Sequence, residues 1–136
     1  MNIDVVKKYL HGIPNVETAE SARGDSSVFM FGSEAPNGKA YSTKIEVTNN
    51  DHVSIQCGLA LDHAADIGRV ERFASMLNTE FQQKGWGVTF LVEDGCLIAS
   101  TRMSGEIFSQ REISERLMML LTGISKFDDG LNGEIV

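Results

Sequence analysis

The chain has 136 residues, 42% hydrophobic and 23% charged, with 19 acidic against 12 basic side chains and a formal net charge of -7. That length suits one domain with a real core, and that composition excludes the low-hydrophobicity, high-charge regime of disorder. The acidic balance, with Lys7-Lys8 as the one adjacent basic pair, argues against nucleic acid and against an anionic membrane surface as partners, and favours a neutral or basic one.

The opening segment carries no apolar run suited to a signal peptide, and no stretch approaches the roughly 18 apolar residues of a membrane span, so a cytoplasmic protein is expected. Asn2 is placed to cap a short amphipathic helix with Ile3, Val6 and Leu10 on one face, stopped by Gly12 and Pro14. Residues 15–26 are polar and poorly periodic and read as a connector. Ser27 to Gly32 is a compact apolar run that suits a buried strand, followed by the turn formers "SEAPNGK".

Tyr41, Thr43, Ile45 and Val47 then alternate with polar residues, and Val53, Ile55, Cys57, Leu59 and Leu61 resume the alternation after "NND". This is a hairpin with one wet face. Cys57 and Cys96 lie on different strands without a CxxC spacing, which fits two free thiols better than a disulfide framework. Asp62, His63 and Asp66 offer metal-ligating types within five residues, but a site needs three or four convergent ligands, and an Asp ahead of a helix has a simpler use as its cap. No metal and no cofactor is expected.

From about Ile67 the period becomes helical, with Val70, Phe73, Ala74, Leu77 and Phe81 forming one stripe that Gly85 ends. In the segment from Trp86 to Met103, a two-residue Asp94-Gly95 turn would pair Glu93 with Cys96 and Leu91 with Ile98. Trp86, Val88, Phe90, Val92, Leu97, Ala99, Thr101 and Met103 then share the core face, and Leu91 and Ile98 form an apolar pair on the other. Carboxylates beside Cys96 would raise a thiol pKa, which disfavours a catalytic role for it.

Ser109 and Glu112 match a capping box, with Phe108 and Ile113 placed for its hydrophobic staple. The helix they open runs through Leu117, Leu120, Leu121 and Ile124, and Met118 and Met119 widen its apolar arc beyond one contact face. "FDDGLNGE", residues 127–134, reads as the helix C-terminus and a frayed tail. Nucleophile elbows, phosphate loops and dinucleotide fingerprints are absent. The expected fold is a single α+β domain over 1–136, in the order α-β-β-β-α-β-β-α, with an antiparallel sheet of about five strands covered by helices.

The segment from "MLNTEF" through "GWGVTFLVEDGCLIASTRMSGEIFSQREISERLMMLL", together with the element order, resembles the type III secretion chaperone-like superfamily, which includes the class I effector chaperones and YbjN-like proteins. The resemblance covers about half the chain and rests on Leu77-Asn78, the glycine before the fourth strand, the Asp94-Gly95 turn and the helix after "IFS". It implies a non-enzymatic homodimer that holds a partner polypeptide, such as a secreted effector. The YbjN-like alternative is a regulatory or sensory accessory protein without chaperone activity. A small metal- or thiol-dependent enzyme using Asp62, His63 and Cys96 is a rival from another class. Carried over by position, Phe73, Met76, Leu77, Leu91 and Ile98 are the dimer candidates, and Val6, Leu10, Phe29 and Phe31 are candidates for the partner surface.

Overall fold

The structure, a computed structural model, describes residues 2–20, 24–49, 52–61, 66–103, 105–107 and 109–131. Strands β1 (Glu17–Glu20), β2 (Ser26–Glu34), β3 (Ala40–Thr48), β4 (Val53–Ala60), β5 (Thr89–Glu93) and β6 (Cys96–Met103) form one antiparallel sheet in the order β1-β2-β3-β4-β6-β5. Helices α1 (Asn2–Leu10), α2 (Ile67–Gln83) and α3 (Gln110–Leu131) complete an α-β-β-β-β-α-β-β-α order. The sheet therefore has six strands rather than five. The additional one, β1, lies in the supposed connector: all four of its residues are exposed, so burial imposes no apolar alternation there. The backbone ladder to β2 holds it, and its two glutamates blunt a sheet edge.

Burial follows the two periodicities. On the helix-covered face Ile45, Ile55, Cys57, Leu97 and Ala99 are fully buried. Against them pack Val70, Leu77 and Phe81 of α2, Ile113, Leu120, Ile124 and Phe127 of α3, and Val6 of α1. The expected buried strand at 27–32 is buried on one side only: Phe29 and Phe31 point inward, while Met30 is 39% exposed. The segment at 127–134, expected to hold the helix C-terminus and a frayed tail, is helical as far as Leu131, with Phe127 and Asp128 buried, because the apolar stripe of α3 continues one turn past Ile124. Residues 132–136 lie outside the described ones.

The hairpin register is as expected, with Glu93 opposite Cys96 and Leu91 opposite Ile98. Asp94 and Gly95 both have positive φ, 50° and 75°, as a type I′ turn requires. Asp66 caps α2 by accepting from the Arg69 N–H at 3.2 Å, whereas Asp62 and His63 lie outside the described residues. Glu112 supplies its half of the capping box, accepting from the Ser109 N–H at 3.1 Å, and Phe108 of the expected staple lies outside the described residues. Asn2, expected as a cap, is fully buried in the first turn of α1. Its amide donates to the Gly105 carbonyl at 2.9 Å and accepts from the Ile107 N–H at 2.8 Å, tying α1 to the approach of α3. Among the described residues no helix is long and apolar enough to cross a membrane.

Candidate functional site: an open strand edge beside an apolar groove

Strand β2 is nine residues long and its outer neighbour β1 only four, pairing with Ser27 through Met30. At the two ends of the β2–β3 ladder, the Asp25 carbonyl accepts from the Asn49 N–H and the Ala35 N–H donates to the Lys39 carbonyl, each at 2.8 Å. Antiparallel bonding alternates along a strand, so the odd residues of β2 bond to β3 and the even ones turn their N–H and C=O outward. Val28 and Met30 fall opposite β1, whereas Gly32 and Glu34 lie past its start. Upstream of β1 the extended conformation is broken at Asn15, which is left-handed at φ 59°.

Beside this edge lies a groove of about 250 Å³, with Phe31 through Glu34 on one wall, Tyr9 and Ile13 on the second, and Ser114, Leu117, Met118 and Leu121 of α3 on the third. Met118 is 50% exposed, so the arc of α3 that exceeded one contact face borders this groove. Burial, and more weakly Cys57, pushes the half-buried Tyr9 phenol above its usual pKa. It stays a neutral hydrogen-bonding group at neutral pH. Desolvation likewise pushes the Cys57 thiol up to about 11, outweighing the Thr43 hydroxyl 3.5 Å away, so this thiol is inert. Cys57 faces the core and Cys96 the opposite side of the sheet; both are free.

At the opposite edge a side chain bonds to the outer strand. The Asn78 amide donates to the Phe90 carbonyl at 3.0 Å and accepts from the Phe90 N–H at 2.7 Å, taking both backbone positions of the second β5 residue as a neighbouring strand would. An open cleft of about 590 Å³ runs beside it, between Gln82 and the Gly87–Thr89 backbone. On the face of the sheet that the helices leave free, Leu91 is 53% exposed and its partner Ile98 is half-buried. The same cross-strand row continues through Gly58, Ser42 and Gly32. A Cβ added at Gly32 or Gly58 would meet nothing within 4 Å, so no packing among the described residues demands a glycine there. Glycine weakens a strand interior, since it offers no side chain to pack.

The remaining polar cluster pins the β2–β3 turn to α3. The Tyr41 hydroxyl donates to Asp128 Oδ2 at 2.6 Å, and Lys39 Nζ donates to the same oxygen at 3.2 Å. Asn37 Nδ2 donates to the Tyr41 hydroxyl at 2.8 Å, and the Asn37 N–H donates to Ser125 Oγ at 3.1 Å. Desolvation first, and the Asp128 carboxylate after it, push the Tyr41 phenol up to about 12 against the lowering bond from Asn37. Sequence reasoning missed this cluster because it read Asp128 only as part of a helix C-terminus and frayed tail, and the partners on the β2–β3 turn lie 87 to 89 positions away. The available signal was the helical spacing of Ile124, Phe127 and Asp128.

The structure sorts the residues proposed from sequence. Leu91, Ile98 and Met76 present surface, Met76 being 49% exposed, while Phe73 is half-buried with its ring edge-on to Phe127 at 5.1 Å. Leu77 is fully buried beneath α2 and cannot meet a second protomer. Val6, Leu10 and Phe29 are likewise core and offer a partner no surface, because their apolar faces pack on this chain's own sheet and helices. Phe31, equally buried, nonetheless lines the groove. Among the described residues no three His, Cys, Asp or Glu side chains gather to hold a metal.

No protein-family model and no curated protein matches the chain. Its fold is similar to a crystal structure of an uncharacterized protein from Methanothermobacter thermautotrophicus, with a TM-score of 0.65, 11% sequence identity and 100% of each chain covered.

Proposed function

We propose that this chain is a non-enzymatic homodimer that binds an extended segment of another polypeptide, as a secretion-type chaperone does. The observation that carries the reading is the coincidence of a strand edge at Gly32 and Glu34, unpaired among the described residues, with the apolar groove beside it. An added strand gains affinity from main-chain hydrogen bonds and specificity from alternate side chains entering pockets. The groove suits a few peptide side chains and is small for a cofactor, whose pockets run to about 300–1,000 Å³. Glu34 at the edge and the net charge of -7 favour a segment that alternates apolar with neutral or basic residues. A YbjN-like accessory protein would use the same edge to hold a regulated partner.

The test is fluorescence anisotropy with labelled peptides that alternate apolar and lysine residues. Met118→Glu, which charges the groove rim, should weaken binding at least about tenfold, or ~1.4 kcal/mol. Gly32→Pro, which removes an outward N–H from an edge position where proline is tolerated, should do the same with the circular dichroism unchanged. Binding that neither substitution alters would move the peptide off this edge.

The dimer rests on Leu91 and Ile98 above the row of small residues. Light scattering should give twice the monomer mass for the parent chain and the monomer mass for Leu91→Asp, a surface change that leaves the core intact. A parent chain that stays monomeric at high concentration would sink the dimer while leaving the peptide site standing.

A further inference from the structure

Asn37-Gly38 is chemically the most labile kind of peptide unit in the chain, since glycine places no Cβ in the way of its own nitrogen. The Gly38 nitrogen can attack the Asn37 carboxamide carbon, closing a five-membered succinimide; its proton leaves with the side-chain NH2 as ammonia. Water then opens the ring at either carbonyl, giving aspartate or isoaspartate. The net change is amide plus water to acid plus ammonia, with no oxidant or other reagent.

In the folded chain every participant is held away from this reaction. The Gly38 N–H donates to the Ala35 carbonyl at 2.9 Å, within a three-residue hairpin loop in which Gly38 has φ 82°. The carboxamide is fixed at both ends: Nδ2 donates to the Tyr41 hydroxyl at 2.8 Å and to Asp129 Oδ1 at 3.3 Å, and Oδ1 accepts from the Lys39 N–H at 3.0 Å. The Tyr41 hydroxyl is itself anchored on buried Asp128. Turning the carboxamide toward the Gly38 nitrogen breaks all three of its bonds.

We propose that Asn37-Gly38 is a latent self-modification site, kept unreacted by its docking on α3 and converted when the 35–39 turn lifts away. The conversion is one-way for a structural as well as a chemical reason. The product carboxylate has no N–H to give Tyr41 or Asp129, and it adds negative charge beside Asp128 and Asp129, where Lys39 already pairs with Asp128. The turn that joins β2 to β3, immediately past the open edge, does not dock again.

The experiment follows amide-to-acid conversion in the full chain at mildly alkaline pH by peptide mapping, with isoaspartyl methyltransferase labelling the isoaspartate. Mapping separates residue 37 from the second Asn-Gly pair, Asn132-Gly133. Conversion at Asn37 should be at least about tenfold slower in the native chain than in urea, because it requires a local opening. Tyr41→Phe, checked as folded by circular dichroism, should speed it several-fold in the absence of urea. Equal native and urea rates, or a Tyr41→Phe rate equal to the parent's, would overturn the lock. Asn37→Asp should raise hydrogen exchange across 35–39 and the C-terminal third of α3, and unchanged exchange would overturn the one-way step.

Discussion

Gly123→Ala should lower the unfolding free energy by about 1–3 kcal/mol, the usual cost of overfilling a packed core. The sign is opposite to what helix propensity predicts, since alanine exceeds glycine by about 1 kcal/mol in a helix interior. A Cβ at residue 123 would lie 2.3 and 2.7 Å from Phe90 ring atoms and 3.1 Å from the Phe81 ring. Neither ring has room to yield. Both are buried, they stand edge-on to each other at 5.1 Å, and Phe81 also stands edge-on to Trp86 at 4.9 Å. Gly130→Ala meets Phe73 at 2.6 Å, but that ring is half-buried at the rim and can swing outward, so its loss should be smaller. Urea titration of the two variants checks both the sign and the order. A stabilised Gly123→Ala would show that the aromatic cluster shifts without cost.

The same cluster shows what periodicity can and cannot convey. Val70, Ala74, Leu77 and Phe81 announced the buried face of α2 through their spacing, and the positive φ demanded at Asp94 and Gly95 fixed the face of every residue in the last hairpin. Burial writes both patterns into the chain. Strand β1 is held by backbone bonds at an exposed edge, so its side chains carry no such pattern. The same absence hid the open edge, because its existence depends on where β1 stops. The groove was legible in part: Met118 stood out as surplus apolar surface, but its neighbours on α1 and β2 come from more than 80 positions away. Residues that the resemblance placed on a partner surface, Val6 and Phe29 among them, belong to the core because an apolar residue on a regular stripe has its own sheet or helix to cover it.

Asn78→Leu should cost about 1–3 kcal/mol, the range for leaving hydrogen-bonding groups without partners, although leucine matches asparagine closely in volume. Both bonds of the Asn78 amide go to the backbone of a single residue, so one substitution frees the Phe90 N–H and carbonyl together. The neighbouring open cleft lets water recover part of the loss, which sets the expected value toward the lower end. A larger consequence follows from position: among the described residues no strand lies beyond β5, and Asn78 occupies that edge at Phe90. Removing it creates a second strand-pairing site on a chain whose first, at Gly32 and Glu34, is the proposed peptide edge. In a Leu91→Asp background, where the proposed dimer contact is lost, Asn78→Leu should restore concentration-dependent association seen as a rising mass in light scattering. The double variant should also still bind peptide at the β2 edge with the affinity of Leu91→Asp alone. If it stays monomeric and as stable as Leu91→Asp, the amide is not what keeps β5 unpaired.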